Sequence, residues 1–394
     1  MSRLWDKGVE LDQRVLAYTA GDDFALDERL VAYDVCASIA HAEMLNTQRL
    51  LGDADLAAIR AGLTALGAEH AAGQWHIELA DEDGQTALEK RLSARIGAAG
   101  GRVHLGRSRN DQVLTALRLY LLDAGRELSA AAVGVAAALD GLAQREGATP
   151  LPGYTHMQQA MPSSVGLWAG GFASELRDDA AGFAATARRA SKSPLGSAAG
   201  YGTPGLALDR ELTRAKLGFA EVHAPVTAVQ LARGKAEAQI LFECVLLVQD
   251  LGRLAADLLL FYTQEFAFLT LPDSFTTGSS IMPQKRNPDV FELVRGRSAV
   301  AQGCLAEALG IFAKLPSGYQ RDLQLIKAPL FRGIDLALST AAIMAVGVDG
   351  VRFRPERITL DPAIHAAEEA NALVAREGIP FREAYRRIGE KYRK

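Results

Sequence analysis

A chain of 394 residues with 49% hydrophobic and 23% charged side chains has ample material for a buried core, which excludes a disordered or fibrous polypeptide. Lys+Arg 43 against Asp+Glu 47 leave a net charge of −4, and no basic block exceeds a few residues, so an electrostatic nucleic-acid footprint is excluded. Three well-separated cysteines, Cys36, Cys244 and Cys304, argue against a disulfide framework and point to a reducing, cytoplasmic compartment, each thiol being expected as a small buried apolar group.

The first residues carry charge from Arg3 onward and hold no apolar run, so no secretory leader is expected. Residues 1–105 read as shorter helices forming an N-terminal domain. From 106 to 351 five long helices are predicted, which together imply a bundle. The first runs from Asp111 to about Arg145, with Val113, Leu117, Leu121, Ala124 and Leu128 at three- and four-residue steps, and Asn110 and Asp111 are N-cap candidates. The second is predicted to start at Pro162, a residue suited to a first helical turn, and to reach about Ala190. The third spans about Val226 to Phe266. Its most apolar part, from Ile240 to Tyr262, is interrupted by Glu243, Asp250, Arg253 and Asp257, whereas a bilayer span needs about 20 uninterrupted apolar residues. A buried helix and no membrane partner are therefore expected. The fourth starts at Pro288 and the fifth near Gln324. Beyond Arg352, Pro355, Pro362 and Pro380 punctuate a short C-terminal helical domain (352–394). The predicted class is all-α, a long-helix central bundle with smaller N- and C-terminal helical domains.

Irregular Gly/Ser/Pro-rich segments join these helices, and such segments are where chemistry is usually mounted. Gly106-Arg-Ser-Arg-Asn-Asp-Gln112 offers arginines able to hold carboxylates bidentately. Gly153-Tyr-Thr-His156 contains a histidine able to exchange protons near neutral pH. Thr277-Gly-Ser-Ser-Ile-Met-Pro-Gln-Lys-Arg-Asn-Pro288 packs hydroxyls, a lysine and an amide ahead of a helix N-terminus, whose free N–H groups suit a carboxylate or a developing oxyanion. Leu315-Pro-Ser-Gly-Tyr-Gln-Arg-Asp-Leu-Gln324 is followed by Lys327. Each segment alone also reads as an ordinary cap or inter-helix turn. No metal-ligand spacing, Walker loop or dinucleotide fingerprint occurs in the sequence, so chemistry without a cofactor or metal is expected.

Gly278-Ser-Ser-Ile-Met-Pro-Gln-Lys-Arg-Asn-Pro288 resembles the signature loop of the fumarase/aspartase superfamily. Together with Gly106 to Gln112, Gly153 to His156 and Tyr319…Asp322-Leu-Gln324, it looks like the argininosuccinate lyase family in particular, over nearly the whole chain. The resemblance implies reversible cleavage of L-argininosuccinate to L-arginine and fumarate, the last step of arginine biosynthesis. It also implies a homotetramer with a helical core and sites shared between subunits. By position it assigns catalytic roles to Ser279, His156, its partner Glu292, and Lys285. Substrate contacts fall on Ser108, Arg109, Asn110, Thr155, Asn287, Tyr319, Gln324 and Lys327. Gln85 stands where the family usually has a histidine, Asp23 lies near a usual serine and Arg321 replaces a usual lysine. The chain stops shortly after Gly378-Ile-Pro-Phe-Arg-Glu-Ala384, from which a shortened C-terminal domain is expected. The alternatives are another lyase of the superfamily, such as an adenylosuccinate lyase, or a non-catalytic crystallin-like protein.

Splitting that C–N bond removes a weakly acidic proton beside a carboxylate, giving a dianionic aci-carboxylate, and protonates the departing guanidino nitrogen. A base and concentrated positive charge are both required. Ser279, with Lys285 and loop N–H groups favouring its alkoxide, and His156 are the two proton-transfer candidates. The predicted helix from 111 to 145 would be about 50 Å long at 1.5 Å per residue. It separates Ser108 and Asn110 from Thr155 and His156, so these segments are expected to meet only across subunits.

Overall fold

The computed structural model describes residues 12–393; the reading of Met1–Leu11 as free of a leader lies outside the described residues. Short helices precede residue 105, among them Val31–Thr47, Asp53–Ala71 and Gly84–Ile96. Five long helices follow at Arg109–Glu146, Val165–Ala190, Lys235–Tyr262, Asp289–Phe312 and Lys327–Gly350. Ala366–Glu377 and Phe381–Lys391 close the chain. Among the described residues the strands form three two-stranded ribbons only, so the all-α expectation holds. The Arg321–Gly350 stretch is long and apolar enough to cross a membrane by composition, with half of its most apolar window buried inside the protein.

Several boundaries differ from expectation for local reasons. The first long helix is capped by Ser108, neither by Asn110 nor by Asp111. The Ser108 hydroxyl accepts the Asn110 N–H at 3.3 Å, and the Ser108 N–H donates to Asp111 Oδ1 at 2.9 Å, the reciprocal pattern of a capping box. Pro162 does not open a helix. It pairs with Pro152 in an antiparallel hairpin, Pro150–Thr155 with Gln158–Ser164. A two-stranded ribbon is all edge, so prolines without an N–H are tolerated there. The helix begins only after Ser164, whose hydroxyl accepts the Leu167 N–H at 3.2 Å. The predicted 226–266 helix is split into Ala228–Leu231 and Lys235–Tyr262 by Gly234 (φ +84°), where a side chain would collide with the Phe312 ring at 2.3 Å.

The chain forms two compact units, each discontinuous in sequence. The first comprises residues up to 128, 182–244 and 301–335. Its core joins Val31, Leu45, Ile59, Leu63, Leu88 and Leu92, each worth about 1.5–3 kcal/mol when fully buried. Leu117, Leu121, Ala124 and Leu128 of the predicted stripe are buried too. The second comprises 129–181, 245–300 and the residues from 336 onward. Buried there are Val135, Leu139 and Leu142, the stripe Val248, Leu251, Ala255 and Leu258, and Phe291. The Trp168 indole N–H donates to Asp257 at 2.9 Å, and its ring packs edge-on against Phe261 and Phe353. Cys244 and Cys304 are buried as expected, whereas Cys36 is exposed; all three are free thiols.

Candidate active site

The first unit encloses a small cavity of about 90 Å³ lined by Asp23, Asp83, Gln85, Arg109, Asn110, Val113, Arg233, Tyr319, Arg321, Gln324 and Lys327. Five of the substrate residues expected from sequence, Arg109, Asn110, Tyr319, Gln324 and Lys327, thus share one wall system although more than 200 residues separate them in the chain. Arg109 and Asn110 are placed by the first helical turn. Arg109 Nη1 donates to Asp83 Oδ2 at 2.7 Å, and Asp83 also caps the Gly84–Ile96 helix by accepting the Thr86 N–H at 2.8 Å. On the opposite wall Arg321 Nε donates to Gln324 Oε1 at 3.1 Å. Arg321 and Gln324 both donate to the Thr19 carbonyl, at 2.8 and 3.0 Å.

Lys327 is 3% exposed and lies between two carboxylates, with Nζ 2.9 Å from Asp23 and 2.5 Å from Asp27. These neighbours outweigh burial and hold its ammonium above the ordinary lysine range. Burial pushes the Asp23 carboxyl up to about 7, with Lys327 opposing and Asp27 reinforcing the shift. Asp27 is fully buried and accepts the Gly84 N–H at 3.0 Å. Arg233, 5% exposed, was not anticipated from sequence. Its guanidinium lies 5.4 Å from the Tyr319 ring centroid, and its Nε and Nη1 have no hydrogen-bond partner among the described residues. Asp83 and Val113 were likewise missed. The break at Gly234 is the one local signal that could have drawn attention to Arg233.

Ser108 does not line this cavity; its polar atoms serve the cap. Asp111, one turn further, is fully buried and accepts N–H groups from Ser108, Gly196 and Ala198 at 2.9, 2.9 and 2.8 Å. It thereby ties the glycine-rich segment after Lys192 to the helix start. Burial raises its carboxyl to about 6 despite those donors and Arg107. Arg107, proposed from sequence as a carboxylate binder, is buried and donates to the Ser38 hydroxyl at 2.7 Å.

Thr155, His156, Ser279, Lys285, Asn287 and Glu292 belong to the second unit. His156 and Met157 form the two-residue turn of the hairpin, with Thr155 paired to Gln158 and φ of +51° and +59°. A type I′ turn demands positive φ at both positions, which costs about 1–2 kcal/mol for each residue bearing a Cβ. The price is paid at an exposed tip, and strain of this kind concentrates at functional sites. Gln159 anchors the hairpin by donating to the Thr359 carbonyl at 3.0 Å and accepting the Asp361 N–H at 2.8 Å.

The Gly/Ser loop is closed at its neck by reciprocal backbone bonds between Thr277 and Asn287, 3.0 and 2.8 Å. Asn287 Nδ2 adds a bond to the Gly278 carbonyl at 3.3 Å. Inside the loop the Ser279 hydroxyl accepts N–H groups from Ile281 and Met282 at 3.4 and 3.2 Å. Lys285 is exposed at the loop, and Glu292 is exposed on the first turn of the helix that follows. No hydrogen bond or ion pair joins His156, Glu292, Ser279 and Lys285 to one another among the described residues.

The lyase family model matches residues 9–303. The argininosuccinate lyase of Sorangium cellulosum is 50% identical over 388 residues, 98% of this chain and 90% of that protein. The argininosuccinate lyase of Xylella fastidiosa is 42% identical over 388 residues, 98% of this chain and 86% of that one. Among solved structures, the crystal structure of EDDS lyase in complex with formate aligns with a TM-score of 0.81 at 26% identity, covering 97% of this chain and 76% of that chain.

Proposed function

The chain belongs to the lyase family that holds these argininosuccinate lyases, within the fumarase/aspartase superfamily, and on that premise we propose how its residues divide the work of splitting L-argininosuccinate into L-arginine and fumarate. It is a carbon–nitrogen lyase. The observation that carries the proposal is the cavity of the first unit, where Asp23 and Asp83 stand among Arg109, Arg233, Arg321 and Lys327. Carboxylates and cations set side by side on these walls, with Lys327 between Asp23 and Asp27 and Arg109 beside Asp83, suit a substrate that itself carries an ammonium group and several carboxylates. Arg109, Asn110, Tyr319 and Gln324 are the proposed substrate contacts on these walls.

The reacting groups are those of the second unit. Ser279 is the first candidate for the base. The two N–H groups already directed at its oxygen would stabilise the alkoxide form, and Lys285 on the same loop adds a full charge where the aci-carboxylate develops. His156, held at the strained tip and oriented by Glu292, is the candidate for the other proton transfer, directly or through water. Thr155 and Asn287 flank these two groups as further contacts, and Ser108 contributes by fixing the helix start that carries Arg109 and Asn110.

We further propose a cytoplasmic homotetramer whose sites are completed by neighbouring subunits. Support comes from His156 and Glu292, whose side chains have no hydrogen-bond or ion-pair partner among the described residues, and from the uninterrupted 38-residue helix Arg109–Glu146. Apolar side chains also face outward on the long helices, with Leu167 71%, Leu293 64% and Val346 60% exposed. Gly170, Gly171, Gly296 and Gly303 have open space where a side chain would stand, as close helix approach between subunits would require. The decisive experiment incubates the purified protein with argininosuccinate and follows fumarate absorbance. Ser279→Ala serves as the inactive control and adenylosuccinate as the rival substrate. Absence of fumarate from the first substrate, or its release from the second alone, would overturn the assignment.

A further inference from the structure

The first unit holds a second cavity, of about 250 Å³, that the catalytic proposal leaves without a role. It is lined by Arg118, Arg188, Arg189, Lys192, His223 and Lys235, with Ala232 and Ala236. Arg118 is its floor. That side chain is 2% exposed; its Nη1 donates to the Lys192 carbonyl and to His223 Nδ1, the latter at 3.0 Å, while its Nε has no hydrogen-bond partner among the described residues. Receiving that bond keeps His223 neutral at Nδ1. Burial first, then Arg118, Lys192 and Arg210, lowers the His223 imidazole to about 4.

The charge is not balanced locally. Lys192 pairs with Glu221 at 2.7 Å, and Glu237 faces Arg118 as its opposing charge. Among the described residues no carboxylate pairs with Arg188, Arg189 or Lys235, all three of which are exposed at the rim. Five cations less two carboxylates leave three positive charges around one concavity. Gathering like charges costs free energy unless an anion neutralises them, and a buried guanidinium with an unused N–H is a costly group to leave unmet. We propose that this cavity is a binding site for a small multivalent oxyanion, distinct from the substrate cavity, with the Arg118 guanidinium at its base and Arg188, Arg189 and Lys235 closing over the charge. Arginine forks match the oxygen spacing of phosphoryl and carboxylate groups alike, and the cavity has room for more than one such group. The assignment does not depend on the lyase chemistry.

The test is calorimetric titration of the intact protein with pyrophosphate and, separately, with citrate, at ionic strength held constant with chloride. The expected result is saturable binding of one anion per chain that saturating fumarate leaves in place. Arg188→Gln/Arg189→Gln, two exposed positions, should weaken it at least about tenfold, the equivalent of about 1.4 kcal/mol, while argininosuccinate turnover is unchanged. Tighter binding of pyrophosphate identifies a phosphorylated ligand, and tighter binding of citrate a polycarboxylate. The proposal is overturned by any of three results: no saturable binding of either probe, binding untouched by the double substitution, or displacement by fumarate, which would place the anion in the substrate cavity.

Discussion

Replacing Lys327 by methionine keeps the aliphatic stem and deletes the ammonium that sits 2.9 Å from Asp23 and 2.5 Å from Asp27. Unit charges about 4 Å apart attract by about 4 kcal/mol at an effective dielectric of 20. In the native protein two such contacts offset the cost of burying the ammonium. Without it, the fully buried Asp27 and the nearly buried Asp23 face each other with no cation between them. Breaking a buried pair by removing one partner costs about 3–5 kcal/mol, a large share of the roughly 5–15 kcal/mol that stabilises an ordinary protein. The loss should depend on pH in a definite direction. The Asp23 carboxyl is already raised to about 7 in the folded state and rises further without Lys327, so the folded form binds its proton more tightly than the unfolded chain. Stability then increases as pH falls through the folded value. Urea unfolding followed by circular dichroism, at fixed protein concentration and at pH 8 and pH 6, should show Lys327→Met weakened by about 3–5 kcal/mol at pH 8 and by visibly less at pH 6. A loss below about 1 kcal/mol that is equal at both pH values would refute the view that Lys327 compensates the two carboxylates.

Lys285→Ala should lower turnover by at least about a hundredfold, the size of one lost electrostatic donor, with an unchanged circular dichroism spectrum because the side chain is exposed; near-normal turnover would remove it from the chemistry. Ser279→Ala should abolish exchange of the substrate's labile proton with deuterated solvent, and retained exchange would transfer the base role to His156. Asp111→Ala strands the buried N–H of Gly196 and the partly buried N–H groups of Ser108 and Ala198, and at about 1–3 kcal/mol for an unmet buried donor should cost at least about 2 kcal/mol in urea unfolding. A loss indistinguishable from that of a surface substitution would contradict its anchoring role. Mixing inactive Ser279→Ala with inactive Gln324→Ala under exchange of subunits should restore activity if sites are shared, whereas a mixture no more active than its parents would show that each chain works alone.

The long helices and the chemistry-bearing loops were legible because their signals are local. A stripe such as Val248, Leu251, Ala255 and Leu258 repeats within two or three turns, and the Ser/Gly run around Ser279 is contiguous in sequence. A local signal can also be misread. Pro162 fits a helix start and a ribbon edge equally well, and pairing with Pro152 decides between them. Ser108 and Asp111 carry a capping box that outranks the Asn110 and Asp111 candidates once the reciprocal bonds are seen.

The lining of the cavity proposed for the substrate could be listed from sequence only in part. Arg109, Tyr319 and Gln324 lie in segments that attract notice, but Asp83 and Arg233 do not, and the Asp23–Lys327–Asp27 cluster joins residues about 300 positions apart. The sequence by itself determined the elements and the chemical inventory, since periodicity, caps and turn residues act over a few neighbours. Only the tertiary structure decided which carboxylate faces which cation and which guanidinium is left without a partner, because charge interactions and burial depend on distance through space and are indifferent to separation along the chain.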